Sequence, residues 1–272
     1  MPLSKLQSEI LCLLAAHRNP ESYVAGSLPL NRSGPRFSGD IDIFHSREEA
    51  AAAAALSDAA VLTQAGFTVE WLRQEPGLYG AEARRGGESM KLEWLRDSDF
   101  RFFPLQRDEL FGYALHIIDI ATNKAMAAAG RRAPRDVLDL LQIHEHHLPL
   151  GAVIWAAVEK APGFTPEGLI NEIRRNARYR ADEYAALDTV EPIDASLVAQ
   201  RLRAALDDAD TFVRAMPPGK EGLLFLRGGQ PVQPDPANLG AYVEHGGQLR
   251  GHWPSSSELG HAMMERYGKS AP

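Results

Sequence analysis

The sequence predicts an α/β (α+β) fold, a mixed sheet flanked by helices and followed by a mainly helical region. Three observations predict it. Before about Leu110, short period-two runs interleave with helical stretches. Beyond it, the apolar periodicity is helical. Gly and Pro clusters mark the turns between these segments. The 272 residues suffice for one sizeable core or two modest domains, and 44% hydrophobic with 24% charged residues is the balance of an ordinary globular chain.

The elements follow in order. Leu6, Ile10, Leu13 and Leu14 share one side of a helix from about Ser4 to Ala16. Ser22 to Ala25 is a short strand that ends at Gly26 and Ser27, and a loop with Pro29, Gly34 and Pro35 follows. Asp40 to Phe44 is a second strand, with Ile41 and Ile43 on one face and Asp40 and Asp42 on the other. The alanine-rich stretch Arg47 to Ala65 is a helix, with Ser46 placed to cap it and Gly66 at the C′ position. Phe67 to Arg73, Leu78 to Arg84 and Ser89 to Leu95 form a meander, turned at Pro76-Gly77 and Gly86-Gly87. Helices are then expected at Ala114–Ala129, ended by Gly130, and at Arg135–His146, introduced by Pro134. Weaker ones follow near Leu150–Lys160, Pro166–Leu187 and Ser196–Met216. From Pro217 a loose extension is expected, with a short strand at Leu223–Leu226 and a last helix at Ser257–Tyr267. The expected organisation is a first domain over 1–110, a helical domain over 111–216 and a Gly/Pro-rich extension over 217–272.

Several classes are excluded. A single cysteine, Cys12, rules out a disulfide framework and fits a reducing, cytoplasmic setting. No apolar run reaches the roughly 18 to 20 residues of a membrane helix, and Ile10–Ala16 lacks the flanks of a signal peptide. A net charge of −7 gives no global attraction to nucleic acid. Local basic groups are Arg84-Arg85, then Arg131, Arg132 and Arg135, then Arg174, Arg175, Arg178 and Arg180. The plain reading of the last group is a solvated face. No Walker loop and no G-x-G-x-x-G occurs. The run His144-Glu145-His146-His147 lacks the four-residue histidine spacing of zinc proteases and reads as a helix end before Pro149. His45 could touch a substrate, with nothing specific behind it.

The chemistry concentrates at Gly26-Ser27 and Asp40-Ile41-Asp42. Two aspartates two apart on a strand point to one side, with Cα atoms roughly 6.6 Å apart. Such carboxylates suit a hard cation, Mg²⁺ or Mn²⁺, of the kind that clamps a nucleoside triphosphate. Gly26 allows close backbone approach, and Ser27 can donate to a phosphate oxygen. The competing reading is an edge strand with a solvated polar face. Glu93, in Lys91-Leu92-Glu93-Trp94, is the candidate third carboxylate, with Asp97 and Asp99 as rivals. Alternatively, Glu93 simply pairs with Lys91 or a cross-strand neighbour.

Gly26-Ser27 together with Arg36-Phe37-Ser38-Gly39-Asp40-Ile41-Asp42-Ile43-Phe44 resembles the first motif of the polymerase-β-like nucleotidyltransferases. More closely it resembles the AbiEii/AbiGii toxin branch, with its R-x-S-x-D-I-D run. A second block matches in order: Asp119 to Lys124, Gly130-Arg131-Arg132, and Arg135-Asp136-Val137-Leu138-Asp139. The resemblance covers about Tyr23 to Gln142. A slightly long loop before Asp40, and Glu rather than the commoner Asp as third carboxylate, depart from the pattern.

The resemblance implies a nucleotidyltransferase-type sheet, with the active site between it and the helical domain. It implies metal-assisted transfer of a nucleoside monophosphate from an NTP to an acceptor hydroxyl. Asp40, Asp42 and Glu93 would hold the metals, and Gly26, Ser27, Lys124, Arg135 and Asp139 would serve the nucleotide. The implied acceptor is RNA, a tRNA end above all, or a protein side chain, and the toxin role implies a cognate antitoxin. Read from the residues alone, Arg135 and Asp139 are four apart and can pair within their helix as a structural bridge, and Asp136 and Asp139 can also serve to position Lys124 or Arg135. Other classes stay open: a catalytically silent nucleotide-binding module, an interaction protein working through its helical half, and a metal-dependent phosphohydrolase.

Overall fold

The computed structural model describes residues 3–32, 34–97, 100–160 and 163–247. The expected helix Ser257–Tyr267 and the rival carboxylate Asp99 lie outside the described residues. The described parts of Met1–Asp99, Phe103–Ile120 and Ala181–Ile193 form one compact unit. Those of Phe100–Phe102, Ala121–Arg180 and Asp194–Pro272 form a second.

In the first unit, α1 (Lys5–Ala15) starts at a capping box. Ser4 accepts from the Gln7 N–H and the Gln7 side chain accepts from the Ser4 N–H. β1 (Ser22–Val24) and β2 (Asp40–His45) follow, and then α2 (Glu48–Gln64). The expected Ser46 cap is corrected: Arg47 is the N-cap residue and makes no side-chain cap bond. Glu48 and Glu49 lie in the first turn, where the helix dipole favours negative charge. β3 (Thr68–Glu75), β4 (Leu78–Arg85) and β5 (Glu88–Arg96) form the expected meander; Gly77, Gly86 and Gly87 take the positive φ its turns need, and Gly66 takes it just after the C-cap of α2.

Two further strands, β6 (Gln106–Asp108) and β7 (Gly112–Ala114), escaped the sequence reading. Each is three residues long and carries no apolar run. The seven strands form one mixed sheet in the order β3-β4-β5-β2-β1-β7-β6. β2 runs parallel to β5 and β1 parallel to β7; the other neighbours are antiparallel.

The core explains which face carries chemistry. Leu6, Ile10, Leu11 and Leu14 of α1 and Ala55 and Leu62 of α2 pack with Ile41, Ile43, Leu92 and Trp94 of the sheet. Ala51, Ala55 and Ala59 are buried at four-residue spacing along α2. Side chains alternate along a strand, so burying Ile41 and Ile43 turns Asp40 and Asp42 to the opposite face.

The second unit holds the helices that follow. α3 (Ile117–Gly130) counts with it from Ala121 onward, and α4 (Pro134–His146) and α5 (Leu150–Ala157) lie within it. α5, LGAVIWAA, is buried at every position, as its apolar sequence requires. The single helix expected over Pro166–Leu187 is corrected to α6 (Pro166–Asn176) and a short α7 (Ala181–Ala185), and α7 counts with the first unit. α8 (Ala195–Ala215) starts at Asp194, whose side chain accepts from the Ser196 and Leu197 N–H groups.

The loose extension is also corrected as far as residue 247. β8 (Leu224–Arg227), β9 (Gln230–Val232) and β10 (Val243–His245) form a sheet in the order β10-β8-β9. Leu224 and Phe225 are buried, and the Trp155 indole donates to the Lys220 carbonyl at 2.6 Å. These contacts anchor a segment whose Gly and Pro content reads as loop. No helix among the described residues is long and apolar enough to cross a membrane.

Candidate active site

In the first unit the β1–β2 pair brings the glycine–serine turn against the aspartates. Tyr23 faces Phe44 and Val24 faces Ile43, and the Ala25 N–H donates to the Asp42 carbonyl at 3.2 Å. The next residue, Gly26, has φ +69°. A β-carbon there would fall 2.3 Å from Asp42 Oδ2. Gly26 is thus required twice, by its backbone conformation and by the carboxylate against it. Gly26→Ala is expected to cost on the order of 2 kcal/mol in urea unfolding, from left-handed strain and displacement of Asp42. Gly39→Ala is the control, because a β-carbon added there would meet nothing within 4 Å and its φ is not positive. Equal stability of the two variants would contradict this account.

Ser27 is buried, and its hydroxyl lies 2.7 Å from that of Ser38. The Ser38 Oγ donates toward Asp40 Oδ1 at 3.0 Å, with the Asp40 carbonyl at 3.1 Å. A hydroxyl has one proton to give, so Ser27 donates to Ser38 and Ser38 to Asp40. The Ser27 hydroxyl, expected to serve a phosphate, is in this structure hydrogen-bonded to Ser38. Ser38 is in turn held from α1, where the Gln7 side-chain amide donates to its carbonyl. Ser38 lies inside the R-x-S-x-D run, yet the sequence reading assigned it no role.

The loop before β2 is tied down from far along the chain. The Phe37 N–H donates to the Asp188 carbonyl at 3.0 Å and the Val190 N–H to the Pro35 carbonyl at 2.9 Å. Arg36 is buried and forms a β-bridge with Thr189.

β5 supplies the third carboxylate in register. Asp40 is paired with Lys91 and Asp42 with Glu93. Asp40, Asp42 and Glu93 are each half-buried on the face opposite the core. The Lys91 ammonium is hydrogen-bonded to Glu93. That bond holds the Lys91 pKa above its usual value, and the charges of Glu93, Asp40 and Asp42 add to the effect. The rival Asp97 follows β5, where its N–H donates to the His45 carbonyl at 3.0 Å.

The donor set is all carboxylate oxygen, which fits a hard divalent cation, and the missing side chain at Gly26 makes room for the Asp42 carboxylate itself. Among the described residues, however, no three His, Cys, Asp or Glu side chains close around one point.

The other end of β2 holds a separate network. His45 is buried, with Nε2 3.0 Å from the Ser22 hydroxyl, and it stands in the wall of a cavity away from the aspartates. Arg18 Nη1 donates to the same hydroxyl at 2.8 Å. Arg18 Nη2 donates to both Asp58 oxygens, and the Trp94 indole donates to Asp58 Oδ2 at 2.7 Å. A cavity of about 350 Å³ opens over Arg18, Ser22 and Asp58 beside Ala53; Asp40, Asp42 and Glu93 do not line it.

Burial first, and the Arg18 charge second, lower the His45 pKa from 6.5 to about 4. The unfolded chain therefore binds a proton that the folded chain refuses between these values. Stability rises with pH across the window and is lost as pH falls from 6.5 toward 4, by on the order of 3 kcal/mol from this residue. His45→Asn should flatten that part of the stability–pH curve in urea unfolding. An unchanged slope would mean that another group is responsible.

In the second unit, Lys124 on α3 and Asp139 on α4 form a buried ion pair, 2.7 Å apart. Of the two cations expected at Asp139, Arg135 and Lys124, the one that pairs with it is Lys124. Asp136, in the first turn of α4, accepts from Arg131 at 2.7 and 2.9 Å. Arg135 is half-buried one turn before Asp139. At the end of α4, His144 Nδ1 accepts from the Leu150 N–H at 3.2 Å, and Glu145 pairs with Arg201. Of the first-turn residues of α3, Asp119 counts with the first unit, where it accepts from the Phe103 N–H at 3.1 Å.

Comparison with known proteins rests on structure alone: no protein-family model matches the chain, and no curated protein sequence does. The fold is similar to that of MenT4, a nucleotidyltransferase toxin from Mycobacterium tuberculosis. The TM-score is 0.53 at 16% identity, over 75% of this chain and 82% of that one. A protein from H. pylori, provisionally described as a nucleotidyltransferase, aligns at TM-score 0.48 and 17% identity, over 77% of this chain and 94% of that one. The first likeness shows a nucleotidyltransferase-type fold, a mixed sheet flanked by helices.

Proposed function

We propose that the chain is a metal-dependent nucleotidyltransferase that moves a nucleoside monophosphate from an NTP to an acceptor hydroxyl. The acceptor oxygen bonds to the α-phosphorus, the bond to the bridging oxygen breaks, and pyrophosphate leaves. The observation that carries this reading is the seating of Gly26 on Asp42, with Asp40 and Glu93 on the same face. A bound Mg²⁺ or Mn²⁺ would supply charge neutralisation at the triphosphate and at the attacking and leaving oxygens. Asp40 and Asp42 are the residues to hold it, with Glu93 as third ligand and acceptor of the hydroxyl proton.

The Ser27–Ser38–Asp40 chain of hydroxyls fixes the orientation of the Asp40 carboxylate. Gly26 lets the backbone approach a phosphate. In the second unit the reading assigns Lys124 to the triphosphate, with Asp139 holding its ammonium in place and Arg135 nearby on α4. The R-x-S-x-D-I-D run supports a place near the AbiEii/AbiGii toxins, and MenT4 is itself a toxin. From these we infer a toxin role with a cognate antitoxin, and RNA, a tRNA end, or a protein as acceptor.

A second reading, a catalytically silent nucleotide-binding module, is favoured by one observation: Glu93 is engaged with Lys91. One experiment separates the two. Each α-labelled NTP is incubated with Mg²⁺, total RNA or cell extract, and either wild type or the Asp40→Ala/Asp42→Ala double variant. Label on an acceptor with wild type alone supports the transferase. Nucleotide binding without label or pyrophosphate supports the silent module, and release of inorganic phosphate would point to a phosphohydrolase instead.

A further inference from the structure

We propose that Lys91 is a positioning residue for the acidic face, a resident counter-ion that holds Glu93 away from Asp40 and Asp42 until a divalent cation displaces it. The inference rests on the metal-dependent reading above.

The register places four charged residues together. β2 and β5 are parallel neighbours, with Asp40 level with Lys91 and Asp42 level with Glu93. Residues level with one another on paired strands share a face, and so do residues two apart on one strand. Three carboxylates and one ammonium therefore share a patch of sheet. Like charges at this spacing repel, and without a cation the face is destabilised. Lys91 supplies the cation and bonds to Glu93.

The neighbouring strand leaves this choice to Lys91. Opposite Glu93 on β4 is Gly80, which has no side chain to crowd or hold the carboxylate. Opposite Lys91 is Glu82, which is paired with Arg84. Arg73, level with Gly80 on β3, is hydrogen-bonded to Glu75 at 2.6 Å and acts on Glu93 only through its charge, without a bond. The Lys91–Glu93 pair also has the right strength for displacement. Its side chains are 46% and 26% exposed, so solvent screens it, and exposed pairs of this kind are weak. A divalent ion on three carboxylates outcompetes one mobile ammonium. Lys91 is thus neither a ligand nor an ornament of the strand; it sets the metal affinity through Glu93.

Mn²⁺ binding to the full chain, without nucleotide, tests this by calorimetry or by the loss of the free Mn²⁺ spin-resonance signal. Lys91→Met is expected to tighten Kd about two- to fivefold, with Lys91→Arg returning it to the wild-type value. In a Glu93→Gln background the effect of Lys91→Met should shrink. An unchanged or weaker Kd for Lys91→Met overturns the proposal, including the case in which only the melting temperature moves, as a purely structural lysine would give. Failure of the metal reading looks different: wild type and Asp40→Asn/Asp42→Asn then bind Mn²⁺ equally poorly, and the proposal falls with it.

Discussion

Asp42→Asn is expected to lower nucleotide transfer on the order of a thousandfold, about 4 kcal/mol of transition-state stabilisation, with the fold unchanged. The substitution is nearly isosteric, so Gly26 keeps its close approach and the core-facing Ile41 and Ile43 are untouched. What is lost is one negative charge on a face that brings Asp40, Asp42 and Glu93 together. Relief of like-charge repulsion is offset by loss of its attraction to Lys91, so the melting temperature should change little. Asp40→Asn should behave alike, although its amide also alters the partner offered to Ser38. The measurement is single-turnover transfer of α-labelled nucleotide beside a thermal melt. A variant that keeps more than a tenth of wild-type transfer would remove Asp42 from the chemistry.

Asp58→Ala is expected to destabilise the first unit by about 3–5 kcal/mol, because it breaks a buried pair from one side. Both Arg18 and Asp58 side chains are only 1% exposed. Without Asp58 the Arg18 guanidinium remains in the core with the Leu14 carbonyl and the Ser22 hydroxyl but no counter-charge. The Trp94 indole loses its acceptor as well. Urea unfolding near neutral pH reads the loss. Arg18→Met combined with Asp58→Leu should recover most of it, since well-packed apolar groups often replace a buried ion pair without penalty. A loss below about 1 kcal/mol for Asp58→Ala would show that the pair is solvated and structurally idle.

How legible the protein was depended on the range of each interaction. α1, α2 and the β3–β5 meander could be read because period, cap and turn residues act within a few positions. The aspartate face was legible for the same reason: Ile41 and Ile43 must turn inward, so Asp40 and Asp42 turn out. β6 and β7 were not legible, because Gln106–Asp108 and Gly112–Ala114 carry no apolar run and exist by pairing with one another and with β1. α7 reads as the end of a longer helix, yet its segment returns to brace the loop at Phe37.

The sequence by itself determined the period of each long element and the side of β2 on which the carboxylates stand. These follow from local sterics and from burial of the nearest apolar residues. Tertiary structure alone decided which charges meet: Lys124 with Asp139, Arg18 with Asp58, Lys91 level with Asp40, and the Ser27 hydroxyl with Ser38. An ionic or hydroxyl side chain has several partners of equal chemistry along the chain. The choice among them is made by distance after the strands have paired and the helices have packed.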